Sequence, residues 1–589
     1  MSFNPSPLPL ITTQPNPHPS RLQSATRTQT KTATPEFAEE TDLLIIGSGA
    51  GALTANLRAR SLGLRSILIE KEDLVGGASA ISGGGFWIPC NPISGVADSK
   101  DAALTYFAQA VGDVGPASSL EKRDAFVSNG ARMVEFLRQH GFEFHVSKGY
   151  PDYYPRMEGA MGGGGRSLEA RVFDMRRVGV WEGRIRPSGI PVAMYTHDGR
   201  VFSRVLSSVV AFGYVVRRML PLFARMVVGQ RPASMGRALV GQLLHLNLKH
   251  DGEFDLRTQT GLSKLIQDPT GRVVGAEVRT ADACTSIRAT RGIILAAGGF
   301  AHNKEMRETY LPSPATTDWT SSPPGDTGDA IQEGIRIGAA TALMDDAWWG
   351  PTIIDPVTLK PHFALMERSV PHCFIVDSSG ARFMNEAESY TDAGHDQYTR
   401  NETVKAIPAW LILDSNHRER YMLGRLLPKK KPSKQALGQG VVITATSLAE
   451  LARKTGIDPT GLVATTKRYN EMCKTGVDED FGKGSNAYDQ FFGDPVVGPN
   501  PNMGPLLKPP FYATAVWPGD LGTKGGLLTD EFQRVLDKDA NPIPGLFAIG
   551  NTAASIMGRT YLGAGSSLGP AMTHGYIAAD FISKELDAK

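Results

Sequence analysis

Gly47, Gly49 and Ala52 stand in G-x-G-x-x-[GA] spacing after a short apolar run, Leu43–Ile46, and before a helical stretch, Leu53–Ser61. A second apolar run, Ser66–Ile69, ends on Glu70. Each residue type has a task in holding a pyrophosphate. Gly47 lets the chain turn tightly, Gly49 lets backbone approach phosphate, and Ala52 lets the helix pack close to the sheet. Amides at the helix start face the phosphates, and Glu70 can accept from a ribose hydroxyl. A glycine fingerprint alone is weak. Strand, loop, helix, strand and acid in this order identify a dinucleotide site.

Two further stretches carry candidate chemistry. The loop Gly76–Pro89 (GGASAISGGGFWIP) lets backbone approach a flat, bulky ligand. The run Gly149–Pro155 (GYPDYYP) groups Tyr150, Tyr153 and Tyr154. From spacing alone, their rings fit apolar packing, with hydroxyls turned to water or backbone, equally well.

The elements that must position these residues follow from the rest of the chain. At 589 residues the chain is too long for one simple core. With 41% hydrophobic and 21% charged residues it has the composition of a globular enzyme. A formal net charge of +2 gives no case for nucleic acid. Cys90, Cys284, Cys373 and Cys473 form no C-x-x-C pair, so neither zinc nor a disulfide framework is expected, and a reducing, intracellular compartment is. Residues 1–40 are rich in Pro, Ser and Thr and read as a disordered tail. That tail lacks the arginine content and amphipathic period of a transit peptide and the apolar core of a secretory signal.

Apolar spacing predicts helices at 101–111, 122–140, 448–456 and 461–473 and strands at 272–279, 292–299 and 546–549. Trp348 and Trp349 read as core or pocket wall. Tyr561–Ala579 reads as a glycine loop, with Pro570 suited to the start of a closing helix whose amides point at whatever the loop encloses. Residues 199–250 contain no Asp or Glu. Their longest uncharged run is too short to span a bilayer, which takes about 20 apolar residues. Apolar surface with Arg217, Arg218 and Arg225 is the pattern of a segment lying on anionic lipid, so peripheral membrane contact is expected there.

These pieces together resemble the flavoprotein family of succinate dehydrogenase and fumarate reductase subunits, through GSGAGA with Glu70, GGASAISGGG, LAAGGF, GARFMNE and GLFAIGN. The resemblance covers nearly the whole chain from Thr41. It implies FAD and an α/β fold: a discontinuous Rossmann-like FAD-binding domain with an α+β catalytic or capping domain. The boundaries expected are 41–350 and 522–589 for the FAD domain, with 199–250 inserted, and 351–521 for the catalytic domain. The cofactor contacts implied are Gly47, Ser48, Gly49, Ala50 and Gly51 in the first loop, and Glu70 and Lys71 after the second strand. In the second loop they are Gly77, Ala78, Ser79, Ser82, Gly83, Gly84 and Gly85. Toward the end of the chain they are Ala297, Gly298, Gly550, Asn551, Ser567 and Leu568.

Within that family the chain is most similar to 3-ketosteroid 1-dehydrogenases, by SGGGFWIPCNP, YPDYYP, DDAWWGP, Tyr390, DLGTKGGL and TYLGAG. This implies a steroid or triterpenoid substrate and leaves the electron acceptor open. The Y-x-x-x-G element matches Tyr561 and Gly565, whose hydroxyl and amide would polarise the C3 carbonyl. Tyr390 would take the C2 proton, helped toward the phenolate by Tyr153, while hydride leaves C1 for flavin N5. Two other activities share the frame: a fumarate-reductase-like enoate reductase and a steroid dehydrogenase acting at C4–C5. The first wants a His/Arg clamp on carboxylate; His372, Arg382 and His395 are isolated and read as structural.

Overall fold

Leu43–Ile46 is the centre of the larger sheet. The computed structural model describes residues 37–188, 193–202, 205 and 209–584, and the tail to residue 36 lies outside them. The first strand, Glu39–Ile46, begins inside the stretch that composition reads as tail. It pairs in parallel with Cys284–Leu295 on one side and Ser66–Ile69 on the other, placing Ile46 level with Leu295 and Ile69. Pro542–Ala548 extends the sheet in parallel beyond Cys284–Leu295, so both ends of the chain build it. Leu43 and Ile45 pack into one core and Leu44 and Ile46 into the other. A strand buried on both faces reads as an unbroken apolar run, which is why alternation is missing from the sequence.

The first helix is Ala50–Ser61 and the closing helix is Leu568–Lys584. They cross backbone to backbone. A Cβ on Gly51 would lie 2.7 Å from the Ala571 carbonyl oxygen, and one on Gly575 would lie 2.5 Å from the Gly51 oxygen. Two further helices form where the spacing predicts them, Lys100–Val111 and Leu448–Thr455; Leu120–Gln139 and Pro459–Thr475 each begin two residues earlier than expected. Their N-caps Ser99, Ser119, Ser447 and Asp458 accept amides of the first turn.

A second, antiparallel sheet of six strands includes Ala347–Ile354, Phe511–Thr523, Ala409–Leu413 and Cys373–Val376 in that order. The boundaries expected at 350 and 522 fall inside two of its strands. A small sheet joins Gly85–Trp87 to Ser167–Ala170 and Phe144–Val146.

Among the described residues the acid-free stretch holds two long, unlike helices. Met235–Lys249 is core: a Cβ on Gly236 would lie 2.0 Å from the Ser79 carbonyl oxygen, so this helix packs directly against the second glycine loop. Val209–Val227 instead lies exposed, with only Ala211 and Leu222 buried. Among the described residues no helix is long and apolar enough to cross a membrane.

Gly575→Val adds side-chain volume where two helix backbones touch. It is expected to destabilise the fold by about 1–3 kcal/mol, read as a lowered midpoint in thermal or urea unfolding.

Candidate active site

The glycine fingerprint folds into a cradle whose shape is set by backbone contact. Gly47 has φ +113°, and a Cβ there would lie 2.2 Å from the Ala296 oxygen. Its amide donates to Ile69 at 2.7 Å. The Ser48 hydroxyl donates to Glu70 and accepts from the Gly76 amide at 2.9 Å. Burial raises the pKa of Glu70, and the bonds from Ser48 and the Glu72 amide oppose it. Ser79 Oγ accepts the Ala50 amide at 3.0 Å, tying the second loop to the head of the first helix.

Open space lies along this line. A Cβ on Gly49 would meet only Ser79 Oγ, at 3.3 Å, and one on Gly77 would meet nothing within 4 Å. At Gly83 and Gly550 the nearest atoms would be 3.8 and 3.7 Å away. Gly85 faces the Ala564 oxygen at 3.5 Å. Gly84 differs: its Cβ would lie 2.2 Å from Met235, so helix packing demands glycine there. Ser82 serves the same turn, accepting the Gly84 amide at 3.0 Å, and Ala78 sits in the short helix Gly77–Ile81. At the far side Gly298 accepts from Thr552 Oγ1 at 2.9 Å, beside Ala297, and Asn551 accepts from Trp348 Nε1 at 3.0 Å. Ser567 precedes Leu568, the first residue of the closing helix. Lys71 pairs with Asp329 at 2.7 Å beside an open cavity of about 680 Å³, also lined by Asp73, Gln259 and Gln332. Asp329 and Gln259 carry no fingerprint spacing, so the sequence does not single them out.

The second half of the site is a nest of phenols drawn from segments far apart in the chain. Tyr106 Oη donates to Leu562 O at 2.7 Å and accepts the Tyr154 amide at 3.2 Å; the Tyr153 amide donates to the same Leu562 oxygen at 3.0 Å. These bonds tie the GYPDYYP loop to the Tyr561 loop. Asp152 anchors it from below, accepting Trp87 Nε1 at 2.7 Å and Arg166 at 2.8 Å. Burial pushes the Asp152 pKa up to about 6 against the pull of Arg166.

The hydroxyls then meet. Tyr153 Oη donates to Tyr390 Oη at 3.4 Å and lies 3.1 Å from Tyr150 Oη. Tyr154 turns away and donates to Asp392 at 3.0 Å. Tyr561 lies with ring centroids 4.9 Å from Tyr390 and 5.2 Å from Tyr153. Burial raises the pKa of the Tyr561 phenol, while hydrogen bonds from Tyr390, Ser567 and the Gly565 amide lower it. The Gly565 amide thus stands as a donor to the Tyr561 oxygen. Gly565 has φ +98°, and a Cβ there would lie 2.3 Å from Phe86 Cα. Burial raises the Tyr390 pKa above its usual value, and neighbouring phenols raise it further.

Aromatic residues wall the nest: Trp348 at 5.3 Å from Tyr561, Phe363 at 5.0 Å from Tyr390, and Tyr488 at 4.2 Å from Tyr153. Trp348 is therefore wall, whereas Trp349 is core, its ring tilted against Tyr398 at 4.9 Å and its N–H bonded to Asp346. Tyr488 and Phe363 come from segments with no motif. The isolated cations have structural partners: Arg382 binds Glu386 and Asp478, His395 binds Asp346, and His372 binds the Pro505 carbonyl.

Over residues 42–568 the chain matches the family described as FAD binding domain. It is 40% identical over 565 residues to 3-oxosteroid 1-dehydrogenase of Mycobacterium tuberculosis, covering 93% of this chain and 99% of that protein. It is 36% identical to 4-oxocyclohexanecarboxylate 2-dehydrogenase of Sinomonas cyclohexanicum, covering 92% of each. The crystal structure of 3-ketosteroid delta1-dehydrogenase from Sterolibacterium denitrificans, in complex with 1,4-androstadiene-3,17-dione, superposes with a TM-score of 0.88 at 36% identity, covering 93% of this chain and all of that one.

Gly47→Ala places a methyl group against the Ala296 carbonyl. The purified variant is expected to lose the flavin absorbance near 450 nm, with a far-ultraviolet circular dichroism spectrum like that of the parent.

Proposed function

The chain belongs to the FAD-dependent 3-oxosteroid 1-dehydrogenases, and on that premise we propose that it introduces the C1–C2 double bond into a 3-ketosteroid or related triterpenoid. The meeting of the Tyr153, Tyr390 and Tyr561 side chains beside the glycine cradle carries this reading. FAD fits the cradle, because Gly49, Gly77 and Gly83 border open space where larger side chains would intrude. Ser48, Ala50, Gly51, Glu70, Ser79, Asn551 and the amides at Ser567 and Leu568 would hold it. When bound, FAD accepts the hydride that leaves C1.

The protein's own residues handle the oxygen and the proton. Removing a proton from C2 puts enolate charge on the C3 oxygen. The Tyr561 hydroxyl and the Gly565 amide are the donors for that charge, the amide exchanging the Tyr561 oxygen for the ketone oxygen; losing one such donor costs on the order of 3 kcal/mol of barrier. Tyr390 is the base. A buried phenol ionises reluctantly, so it needs donors that strengthen as it loses its proton. Tyr153 is one, 3.4 Å away, and Tyr150 continues the row at 3.1 Å. The proton from C2 enters that row of hydroxyls, and the aromatic walls exclude water from the enolate.

The relative acting on a cyclohexanone carboxylic acid makes a small keto acid the second reading. A carboxylate would require a free cation in the nest, and Arg382, His372 and His395 are committed elsewhere. The aromatic walls favour an apolar ring system. Mass spectrometry and product NMR after incubation with 3-keto-4-ene steroids and a dye acceptor test both readings and separate C1–C2 from C4–C5 oxidation. Tyr390→Phe should keep its flavin and lose about 10²–10⁴-fold in turnover. In the parent, kcat/KM should climb with pH between 6 and 8, because the base works deprotonated and its pKa is raised. Unchanged turnover in the phenylalanine variant removes Tyr390 from the reaction.

The helix Val209–Val227 supports peripheral docking on anionic lipid. Phe212, Leu220 and Phe223 are 55%, 63% and 55% exposed, spaced along one face, with Arg217 and Arg225 exposed beside them. Its inner side is held by Tyr214 and Arg218 on the buried carboxylate of Asp198, at 2.6 and 3.3 Å. Replacing Phe212, Leu220 and Phe223 together by serine should abolish co-flotation with vesicles containing phosphatidylserine and leave turnover of dissolved steroid unchanged. Equal flotation would remove the helix as the docking surface.

A further inference from the structure

Behind the Tyr561 loop the fold buries a cation for which the chemistry above has no task. Lys524 is fully buried. Its Nζ donates to the Thr560 carbonyl at 2.9 Å and lies 4.7 Å over the Trp348 ring. The carboxylate it pairs with, Asp346, is 3.7 Å away, beyond hydrogen-bond reach. Asp346 turns its other oxygen to Trp349 Nε1 at 2.7 Å and His395 Nε2 at 2.8 Å. Taking an ammonium out of water with so loose a counter-ion is expensive, and an aliphatic side chain would fill the same space without that penalty.

The contacts of Lys524 lead to the proposed oxygen site by two routes. Thr560 is the residue before Tyr561, so the bond to its carbonyl fixes the peptide that carries the phenol. On the other side of that peptide, the Tyr561 amide donates to Tyr154 Oη at 3.4 Å, and Tyr154 is held in turn by Asp392. The Trp348 ring meets the cation, presents itself edge-on to Tyr561 at 5.3 Å and 79°, and donates its N–H to Asn551. One positive charge therefore stands behind the aromatic wall of the position where the reaction builds negative charge.

We propose that Lys524 is a positioning residue for ring-ketone desaturation: it fixes the Thr560–Tyr561 backbone and supplies the positive field that favours enolate charge at the Tyr561 hydroxyl. This rests on the function proposed above. The charged groups that face it are Asp346 on the strand side, Asp392 and His395 on the helix Tyr390–Asn401, and Arg559 on the loop that carries Tyr561. Asp346 and Asp392 favour the ammonium, Arg559 opposes it, and burial brings its pKa down to about 8. The field is accordingly present below that pH and fades above it.

The test uses FAD-loaded Lys524→Gln, which keeps a hydrogen bond to the Thr560 carbonyl without charge, and Lys524→Met, which keeps neither. The probe is a steroid with a phenolic ring A, whose ultraviolet spectrum reports ionisation in the site. In the parent the bound phenol should ionise at lower pH than in water. Both variants should lose about one pH unit of that shift and, correspondingly, about tenfold in kcat, with KM for a 3-keto-4-ene steroid little changed. Above pH 8 the climb of kcat/KM with pH should flatten in the parent and continue unbroken in the glutamine variant. An equal phenol shift in parent and Lys524→Gln overturns the proposal. So does a defect confined to Lys524→Met, since the hydrogen bond would then suffice. If Lys524→Met does not fold, the glutamine variant decides alone. A parent that neither binds the phenol nor turns over the ketone overturns the function on which the proposal rests.

Discussion

Backbone lies directly on backbone where the Tyr561–Gly569 loop seats on the strand Gly85–Trp87. Side chains at Gly563, Gly565 or Gly569 would reach within 2.4 Å of Trp87 or Phe86. The Trp87 amide donates to Gly565 O at 3.1 Å, and its indole reaches Asp152 in the tyrosine loop. One buried tryptophan thereby fixes the second glycine loop, the head of the closing helix and the phenols in a single arrangement. Such contacts tolerate no added carbon, because interiors are close-packed and a backbone cannot rotate aside as a side chain can.

That constraint explains how the site can be built almost wholly from phenols. A tyrosine is a weak base and a modest acid, and burial makes ionisation harder still. Hydroxyls held within hydrogen-bond distance offset this by donating more strongly as charge develops, with no reorganisation at the moment of reaction. The geometry must then be held by groups outside the nest. Asp152 with Arg166, and Tyr154 with Asp392, do so from two sides.

The exposed helix follows a different logic. It rests on a narrow inner side and one buried carboxylate, and its outward face meets no counterpart among the described residues. Apolar surface of this extent on a water-facing helix marks a contact with something else. The neighbouring helix Met235–Lys249 has the same acid-free composition and lies in the core. Composition alone does not distinguish the two, because an apolar stretch without acids forms a buried helix or an exposed one equally well.

The dinucleotide fingerprint, a minority of the helices and strands, and the kinship that names FAD and the three tyrosines are legible in the chain itself. These are local properties: a left-handed turn needs glycine, an apolar run makes a buried strand, and a Ser or Asp cap starts a helix. The folded structure adds that Tyr154 turns away to Asp392, that Tyr488 and Phe363 complete the wall, and that Lys524 is buried behind Trp348. Those choices depend on where segments hundreds of residues apart come to rest. That is set by the fit of glycine backbone against Trp87 and of one helix against another, and no spacing along the chain encodes it.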